Sequence, residues 1–173
     1  MTMAALTPTD AARCLEGSLA LLRTEVSAVP VSLLDWHPAP GEWCVKEVIG
    51  HLIEAEQRGF GGRIRIILGA SDPHLQTWDQ NAVARERGDC GRDVHDLLRT
   101  LAGLREEAVA LVRRLQPEQL TRGGHHPTVG YLRVAELLHE WVHHDRNHLK
   151  QIMANVQSFV WPHMGNTQKF SGP

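Results

Sequence analysis

The sequence predicts an all-α protein, a four-helix bundle with a long crossover between its second and third helices. Four segments carry apolar residues at helical spacing, and no segment alternates convincingly as a strand. Most breaks between these segments are short, which favours helices that pack against their neighbours in the chain. A chain of 173 residues has the length of one domain. We therefore expect residues 1–173 to form a single domain with a core at about 7–156.

The predicted helices are bounded by residues that start or stop helices. Thr7 offers an N-cap and Pro8 a proline at the first helical position. Prolines and glycines separate the later segments, including a glycine, histidine and proline turn at 123–127. The four helices are predicted from Thr7 to before Pro30, from after Gly41 to about Gly69, from about Asp93 to Leu115, and from about Val129 to Val156.

The crossover, residues 71–92, is longer and less periodic than the other connections. Connections of this length in a compact domain often form lids or parts of binding sites. Trp78 and Arg85 lie within it and are candidate substrate-binding residues. The alternative for Arg85, as for Arg87, is an ordinary solvated arginine.

The C-terminal tail, residues 157–173, is apolar at Phe159, Val160 and Trp161 but not periodic. We expect it to pack against the bundle or against a partner. A second copy of the chain is the simplest partner, so a homodimer is predicted.

Composition excludes several classes of function. A net charge of −2 gives no basic field for nucleic acid. No apolar run approaches the roughly 20 residues that span a bilayer, so no membrane association is expected. The first residues lack the pattern of a signal peptide. Cys14, Cys44 and Cys90 are odd in number and far apart, which suggests reduced thiols in a cytoplasmic protein.

The histidines carry the strongest chemical signal in the chain. His144 and His148 are four residues apart and therefore lie on one helix face, in the same stripe as Trp141. His51 lies on the inward stripe of the second helix, beside Leu52. Three imidazoles on inward stripes can converge on one metal ion and leave positions open for water or substrate. The alternative is three separately hydrogen-bonded core histidines, or a polar cavity without metal.

Other polar residues near this triad have alternative interpretations. Glu54 and Asp145 are candidates to accept the second N–H of a metal-bound imidazole, or they are solvated carboxylates. His139 and His143 share a face with basic residues and are not expected to bind metal. Cys44 begins the second helix, where its thiol is either activated by the helix N-terminus or simply a small residue.

The chain resembles the DinB-like superfamily, including its YfiT-type thiol transferases. The resemblance lies in Trp43–Leu52, in Trp78–Asn81 and in His144–Ile152, and with the four helices it spans about residues 7 to 156. It implies a four-helix bundle in which His51, His144 and His148 occupy the metal-binding positions. Cys44 departs from the family pattern, which often has Ser or Thr after the tryptophan. Members with assigned activities use bacillithiol, mycothiol or glutathione as cosubstrates.

Three functions are consistent with these observations. The first is a transferase, acting in stress or detoxification, that uses one divalent metal ion to activate a small thiol against an electrophile. The second is a metal-dependent hydrolase, for which Glu54 or Asp145 would be the base. The third is a non-catalytic, stress-induced homodimer stabilised by metal. Imidazole ligands suit Zn, Ni, Cu and Fe, so the metal is not specified.

Overall fold

The computed structural model describes residues 5–171 and has the predicted helical bundle. The long helical segments come from four regions of the chain, and short elements connect them. The helices are α1 (Pro8–Ala28), α2 (Val31–Leu34), α3 (Val45–Glu54), α4 (Gly61–Gly69), α5 (Gln80–Arg87), α6 (Val94–Arg113), α7 (Pro117–Leu120), α8 (Val134–Val160) and α9 (Gln168–Ser171). Single turns of π-helix (Ala55–Gly59) and 3₁₀-helix (Asp89–Gly91, Trp161–His163, Gly165–Thr167) complete the helical structure, and β1 (Gly123–His126) pairs with β2 (Gly130–Arg133).

Helix α1 begins where the sequence predicts. The Thr7 hydroxyl accepts from the Asp10 N–H at 3.1 Å, and the Asp10 carboxylate accepts from the Thr7 N–H at 3.1 Å. This reciprocal capping box satisfies two backbone donors that a helix start otherwise leaves unpaired. The inward stripe of α1 is buried at Leu15, Leu22 and Val26.

The core consists of two apolar clusters, and α8 contributes to both. Its N-terminal half supplies Leu138 and Trp141 to one cluster, and its C-terminal half supplies Leu149 and Ile152 to the other. Along α8, the residues between these two groups include both histidines of the predicted site. The site therefore lies on a helix that is anchored by apolar packing on either side of it.

The second predicted helix is interrupted in the structure. It runs as α3 to Glu54, passes through the π-helical turn and resumes as α4. A Cβ atom built on Gly61 would lie 2.9 Å from the Glu56 carbonyl oxygen, closer than a side chain allows. Glycine thus permits a tight backbone turn that helical periodicity alone does not reveal.

The expectation of no strands is wrong for residues 123–133. Strands β1 and β2 form an antiparallel hairpin in which Gly123 faces Arg133 and His126 faces Gly130. Gly130 has a φ of +82°, a conformation that favours glycine and ends the turn between the strands. Helix α8 consequently starts at Val134 rather than Val129, and it continues beyond Val156 to Val160.

The crossover folds back against α3 instead of remaining an open loop. It contains α5, and its end is joined to α3 through an ion pair between Arg87 and Glu54. A Cβ atom on Gly50 would clash with the Asp89 carboxylate, so glycine is required for this close approach. The same approach pairs Cys44 with Cys90 as a disulfide, which corrects the expectation of three separate reduced thiols. Cys14 is free.

Part of the tail packs on the bundle. The Phe159 ring meets the Trp36 ring edge-on, with centroids 5.4 Å apart. Val160 and Trp161 keep 44% and 40% of their surface exposed, and Phe170 keeps 90%. Among residues 5–171, no helix is both long enough and apolar enough to cross a bilayer.

Candidate metal centre

Helices α3 and α8 bring the three predicted histidines together. His51 lies in the last turn of α3 with 8% of its surface exposed, and His144 and His148 are half-buried on α8. The Nε2 atoms of His51 and His144 are 3.0 Å apart. The His148 ring centroid lies 4.5 Å from the centroid of each of the other two rings. The imidazoles therefore converge as their helical spacing predicts.

All three imidazoles are neutral at physiological pH. Burial lowers the pKa of His51 to about 3, and the neighbouring His148 and His144 lower it further. Burial lowers the pKa of His144 to about 3, and the nearby charges of His148, Arg105 and His143 lower it further. The pKa of His148 is lowered by burial, against the opposing effect of its hydrogen bond with Gln151. Neutral imidazoles retain the lone pairs that metal ions require.

The donor set fits a divalent cation. Two nitrogens bound to one ion at about 2.0–2.1 Å lie roughly 2.9–3.4 Å apart, depending on the coordination angle. The Nε2 atoms of His51 and His144, at 3.0 Å, fall within this range. One ring nitrogen from each histidine lies within 4.8 Å of the other two. The Nδ1 atom of His148 is 2.9 Å from the Gln151 side-chain oxygen, which leaves Nε2 of His148 for a ligand role. Nδ1 of His144 is buried without a hydrogen-bond partner among the described residues.

Neither predicted carboxylate supports an imidazole. Glu54 is paired with Arg58 at 2.6 Å and with Arg87 at 2.7 Å, and Asp145 is held by Arg105 at 2.5 and 3.1 Å. Within residues 5–171, neither carboxylate hydrogen-bonds to a histidine of the triad. The expectation that they orient the metal ligands is therefore corrected: buried carboxylates pair with the nearest guanidinium, and arginines from the crossover and α6 are nearer.

Asp145 belongs instead to a buried ionic cluster centred on Arg105, here called the arginine cluster. Arg105 is 3% exposed and contacts Asp145, Glu56 at 2.5 Å and the Leu15 carbonyl oxygen at 3.0 Å. The Trp141 indole donates to Glu56 at 3.1 Å. Burial raises the pKa of Glu56 to about 7, despite the opposing charge of Arg105. One guanidinium thus neutralises one carboxylate fully and the second in part.

A pocket of about 520 Å³ opens from the triad. Part of its wall is formed by His51, His144, Phe60 and Leu137. Trp78 of the crossover forms another part, and its predicted role in substrate binding stays a prediction. Arg85 is exposed on α5 and does not line the described pockets at the triad.

Comparison with known proteins identifies the family. A model of the DinB superfamily matches residues 15–152, most of the chain and all three histidines. The chain belongs to the DinB superfamily. It is 26% identical over 148 residues to a Bacillus subtilis protein named "Putative metal-dependent hydrolase YfiT", covering 85% of this chain and 83% of the relative.

Two further matches agree with this assignment. An Oceanobacillus iheyensis protein named "Putative metal-dependent hydrolase OB0782" is 23% identical over 141 residues, covering 82% of this chain and 81% of the relative. The solved structure of Bacillus subtilis YfiT, described as having "an unusual four-helix bundle topology", superimposes with a TM-score of 0.81 at 23% identity. It covers 92% of this chain and 93% of that one. This likeness shows that the DinB chain has the YfiT fold.

Arg63 is a pocket residue of this DinB chain that the sequence analysis missed. Its guanidinium lies 5.2 Å from the centre of the Trp78 ring and donates to His126 Nε2 and the Gln76 carbonyl, each at 3.2 Å. Burial lowers its pKa, and its Nε atom has no hydrogen-bond partner in the described structure. Arg63 follows the inward-facing Phe60 by three residues, and a cation that close to an apolar stripe was the available signal.

A second, polar groove of about 410 Å³ reaches the triad from another side. It shares His51, His144 and Gln80 with the first pocket and also contacts His148. The Trp43 ring forms part of its wall and lies 5.0 Å from the His51 ring and 6.5 Å from the His148 ring, measured between centroids. Amide side chains supply most of the remaining polar groups, namely Gln80, Asn81, Asn147 and Gln151.

Proposed function

We propose that this DinB protein is a metal-dependent transferase that joins a low-molecular-weight thiol to an electrophile. One observation carries the proposal: an apolar pocket and a polar groove share His51, His144 and Gln80. A transferase must hold two different organic substrates beside one reactive centre. A hydrolase needs room for only one such substrate besides water. Two cavities of different chemistry therefore favour transfer.

His51, His144 and His148 are the proposed ligands of one divalent ion such as Zn, Ni or Fe. Such an ion, when bound, lowers the pKa of a thiol or of water toward neutrality. Since burial already keeps the histidines neutral, no imidazole proton has to be displaced near pH 7. The triad is thus preorganised for a cation.

Each of the two cavities is assigned one substrate: the pocket binds the thiol, and the polar groove binds the electrophile. Arg63, stacked near Trp78, offers a partly desolvated cation to the carboxylate of a thiol cosubstrate that has one, such as glutathione or bacillithiol. The apolar side chains of Phe60 and Leu137 limit water in the same pocket. The polar groove receives the electrophile, whose carbon forms a bond to the thiol sulfur. The leaving group departs with its electron pair, and the thiol proton passes to solvent.

A conjugation assay tests the proposal. Protein freed of metal with a chelator and protein reloaded with Zn²⁺ or Ni²⁺ are compared for conjugation of chlorodinitrobenzene to bacillithiol, mycothiol or glutathione. We expect metal to raise the rate by about 100-fold or more with at least one thiol. His148→Ala should lose this gain, and the exposed His139→Ala should retain it.

Substrate-specific readouts separate the proposed roles. Arg63→Ala should raise the KM for the thiol more than the KM for the electrophile, because only the thiol is assigned to the arginine. The absence of a metal-dependent rate with all three thiols would contradict transfer. If metal then raised thermal stability and thiols added nothing, a non-catalytic, metal-stabilised role would be supported instead.

Metal-dependent hydrolysis is the second candidate. The names of the two relatives favour it, and so do the carboxylates of Glu136 and Glu140, which line the same pocket as His144. Either could act as a general base toward water. Thiol-independent cleavage of an activated ester that falls in Glu140→Gln and persists in Glu118→Gln would support hydrolysis over transfer.

A further inference from the structure

A second group of metal-ligating side chains lies where the crossover meets the start of α3. Cys44 is the N-cap of α3, Glu47 lies in its first turn, Cys90 lies in the 3₁₀ turn after α5, and His37 precedes α3. Their ligand atoms all lie within 4.8 Å of one another. We propose that, once the Cys44–Cys90 disulfide is reduced, these four residues bind a thiophilic divalent cation such as Zn²⁺.

The contacts within this cysteine cluster aim its donor atoms at one another. His37 Nε2 is 3.0 Å from Glu47 Oε2 and 3.7 Å from Cys90 Sγ. The same Glu47 oxygen accepts from the Cys44 N–H at 2.9 Å, which fixes the carboxylate at the helix start. A histidine between a carboxylate and a thiol can turn one ring nitrogen to a metal without leaving its present position. Two sulfurs, one nitrogen and one oxygen make a four-ligand set of the types that zinc accepts.

Local charges favour thiolates at this position. Cys44 lies at the N-terminus of a ten-residue helix, whose dipole stabilises an anion there. Lys46 is 8% exposed, donates to the Cys90 carbonyl at 3.1 Å and lies 2.5 Å from Asp35. Two thiolates and a carboxylate overcompensate a divalent cation by one charge. The Lys46 charge is balanced by Asp35, so the positive end of the helix dipole is what offsets this excess in part.

The cluster has two alternative covalent states. The Cα atoms of Cys44 and Cys90 are 6.9 Å apart, slightly beyond the roughly 4.4–6.8 Å that is usual for a disulfide. Reduction breaks the sulfur–sulfur bond with two electrons and yields two thiols with two protons from solvent. When the thiols bind Zn²⁺, both protons return to solvent. The oxidised chain therefore lacks the two sulfur ligands, and the reduced chain has them.

The cysteine cluster is independent of the proposed transferase site. It contains none of the histidines His51, His144 and His148, and it uses a sulfur-rich donor set in place of three imidazoles. Sulfur ligands give Co²⁺ a strong near-ultraviolet charge-transfer absorption that nitrogen ligands alone do not give. The two sites can therefore be distinguished in one protein, whether or not the triad binds metal.

The experiment compares the whole chain in two redox states. Metal-free protein is either kept oxidised or reduced with a phosphine, which becomes a phosphine oxide with oxygen from water, and is then freed of reductant without air. Free thiols are counted, and each sample is titrated with Co²⁺ and then Zn²⁺. Reduction is expected to add one equivalent of bound metal and to produce the sulfur-to-cobalt band, which Zn²⁺ should displace.

Variants assign the added equivalent to the cluster. Cys90 is half-buried and His37 is exposed, so Cys90→Ser and His37→Ala should leave the helical circular dichroism unchanged. Each variant should lose the added equivalent of metal or bind it more weakly. Cys14→Ser is the matched control and should keep it. A His51→Ala/His144→Ala/His148→Ala variant should also keep the band. Equal metal binding in both redox states, or wild-type affinity and full band intensity in Cys90→Ser, would overturn the proposal.

Discussion

Two neighbouring residues of α8, His144 and Asp145, belong to clusters of opposite character. His144 joins the histidine triad, in which neutral rings converge beside two cavities and one buried Nδ1 has no partner among the described residues. Asp145 joins the arginine cluster, in which Arg105 bridges α1, α6 and α8 through Leu15, Asp145 and the nearby Glu56. Adjacent side chains on a helix point about 100° apart, which lets one turn serve both.

The comparison separates polar groups that pair with one another inside the fold from polar groups that converge beside a cavity. In the arginine cluster both Asp145 oxygens accept from the guanidinium, whereas Arg105 Nε and Glu56 Oε2 have no hydrogen-bond partner among the described residues. Opposite charges in direct contact nevertheless satisfy most of its polar groups within the protein. The triad is open: its nitrogens converge beside two cavities that reach it from different sides. Burial and charge are therefore not sufficient signs of a functional site, whereas convergent lone pairs beside a cavity are stronger ones.

The largest effect is expected when the histidine triad loses two of its three imidazoles. His144→Ala/His148→Ala leaves only one imidazole, too few to hold a divalent ion against dialysis, so bound Zn²⁺ should fall to background. Metal analysis of the dialysed protein measures the bound Zn²⁺. The protein is kept oxidised because the cysteine cluster then lacks its two sulfur ligands. His139→Ala and His143→Ala, which alter exposed histidines on the same helix, should retain the metal. Full occupancy in the double variant would refute the assignment.

Loss of the arginine cluster should lower the free energy of unfolding and leave metal binding unchanged. Arg105→Ala leaves Asp145 and Glu56 buried without their cation, and loss of one partner from a buried pair costs about 3–5 kcal/mol of unfolding free energy. Urea unfolding measures the change, and the folded variant should still bind metal at the triad.

Arg113→Ala is the matched control for this experiment. Arg113 lies on the same helix as Arg105 but pairs with Glu16 at the surface, where such pairs contribute about 1 kcal/mol or less. Equal losses in the two variants would show that burial does not distinguish the two ion pairs.

A smaller effect is expected at the rim of the triad. Gln151 orients His148 through its Nδ1 atom, and loss of a group that orients a metal ligand typically weakens affinity by about 10–100-fold. Gln151→Ala should therefore bind metal more weakly in a competition titration, with little change in unfolding free energy. Lys150→Ala, an exposed neighbour, should match the wild type. Unchanged affinity in Gln151→Ala would mean that the helix backbone alone sets the ring orientation.

The parts of this structure that sequence could predict depend on local spacing. Apolar periodicity locates the four long helical segments, and the four-residue interval between His144 and His148 places both rings on one face. The third imidazole, His51, comes from another helix, but its own inward stripe constrains it equally. Patterns that repeat with the helix turn report which side chains meet the core.

The partners of the buried charges depend on contacts between distant residues. Glu54 meets Arg87 across 33 residues, Asp145 meets Arg105 across 40, and Cys44 meets Cys90 across 46. No helical period fixes such pairs. Arg105 did carry a signal, because it lies four residues after Leu101 and three before Ala108 within the apolar stripe of α6. A charge at such a position indicates a buried partner, although not which one.

The smallest expected effect is a pH dependence of the unfolding free energy that comes from Glu56 in the arginine cluster. The folded pKa of Glu56 is about 7, above its ordinary value of 4.5, so its contribution to stability is fully present below about pH 4.5. That contribution is lost as the pH rises through about 7, with a slope of at most about 1.4 kcal/mol per pH unit. Glu56→Gln should remove this slope while keeping the size of the side chain.

The histidines of the triad change the free energy of unfolding with pH in the opposite direction. The pKa values of His51 and His144 are lowered from 6.5 to about 3, so their contribution is present above pH 6.5 and declines as the pH falls toward 3. Their effect is common to wild type and Glu56→Gln, and subtracting the two stability curves of metal-free protein isolates Glu56. The difference should change steadily between pH 5 and pH 7, and the exposed Glu118→Gln should show no such change. A flat difference would mean that Arg105 offsets the effect of burial on Glu56, so that its carboxylate is ionised in the folded protein.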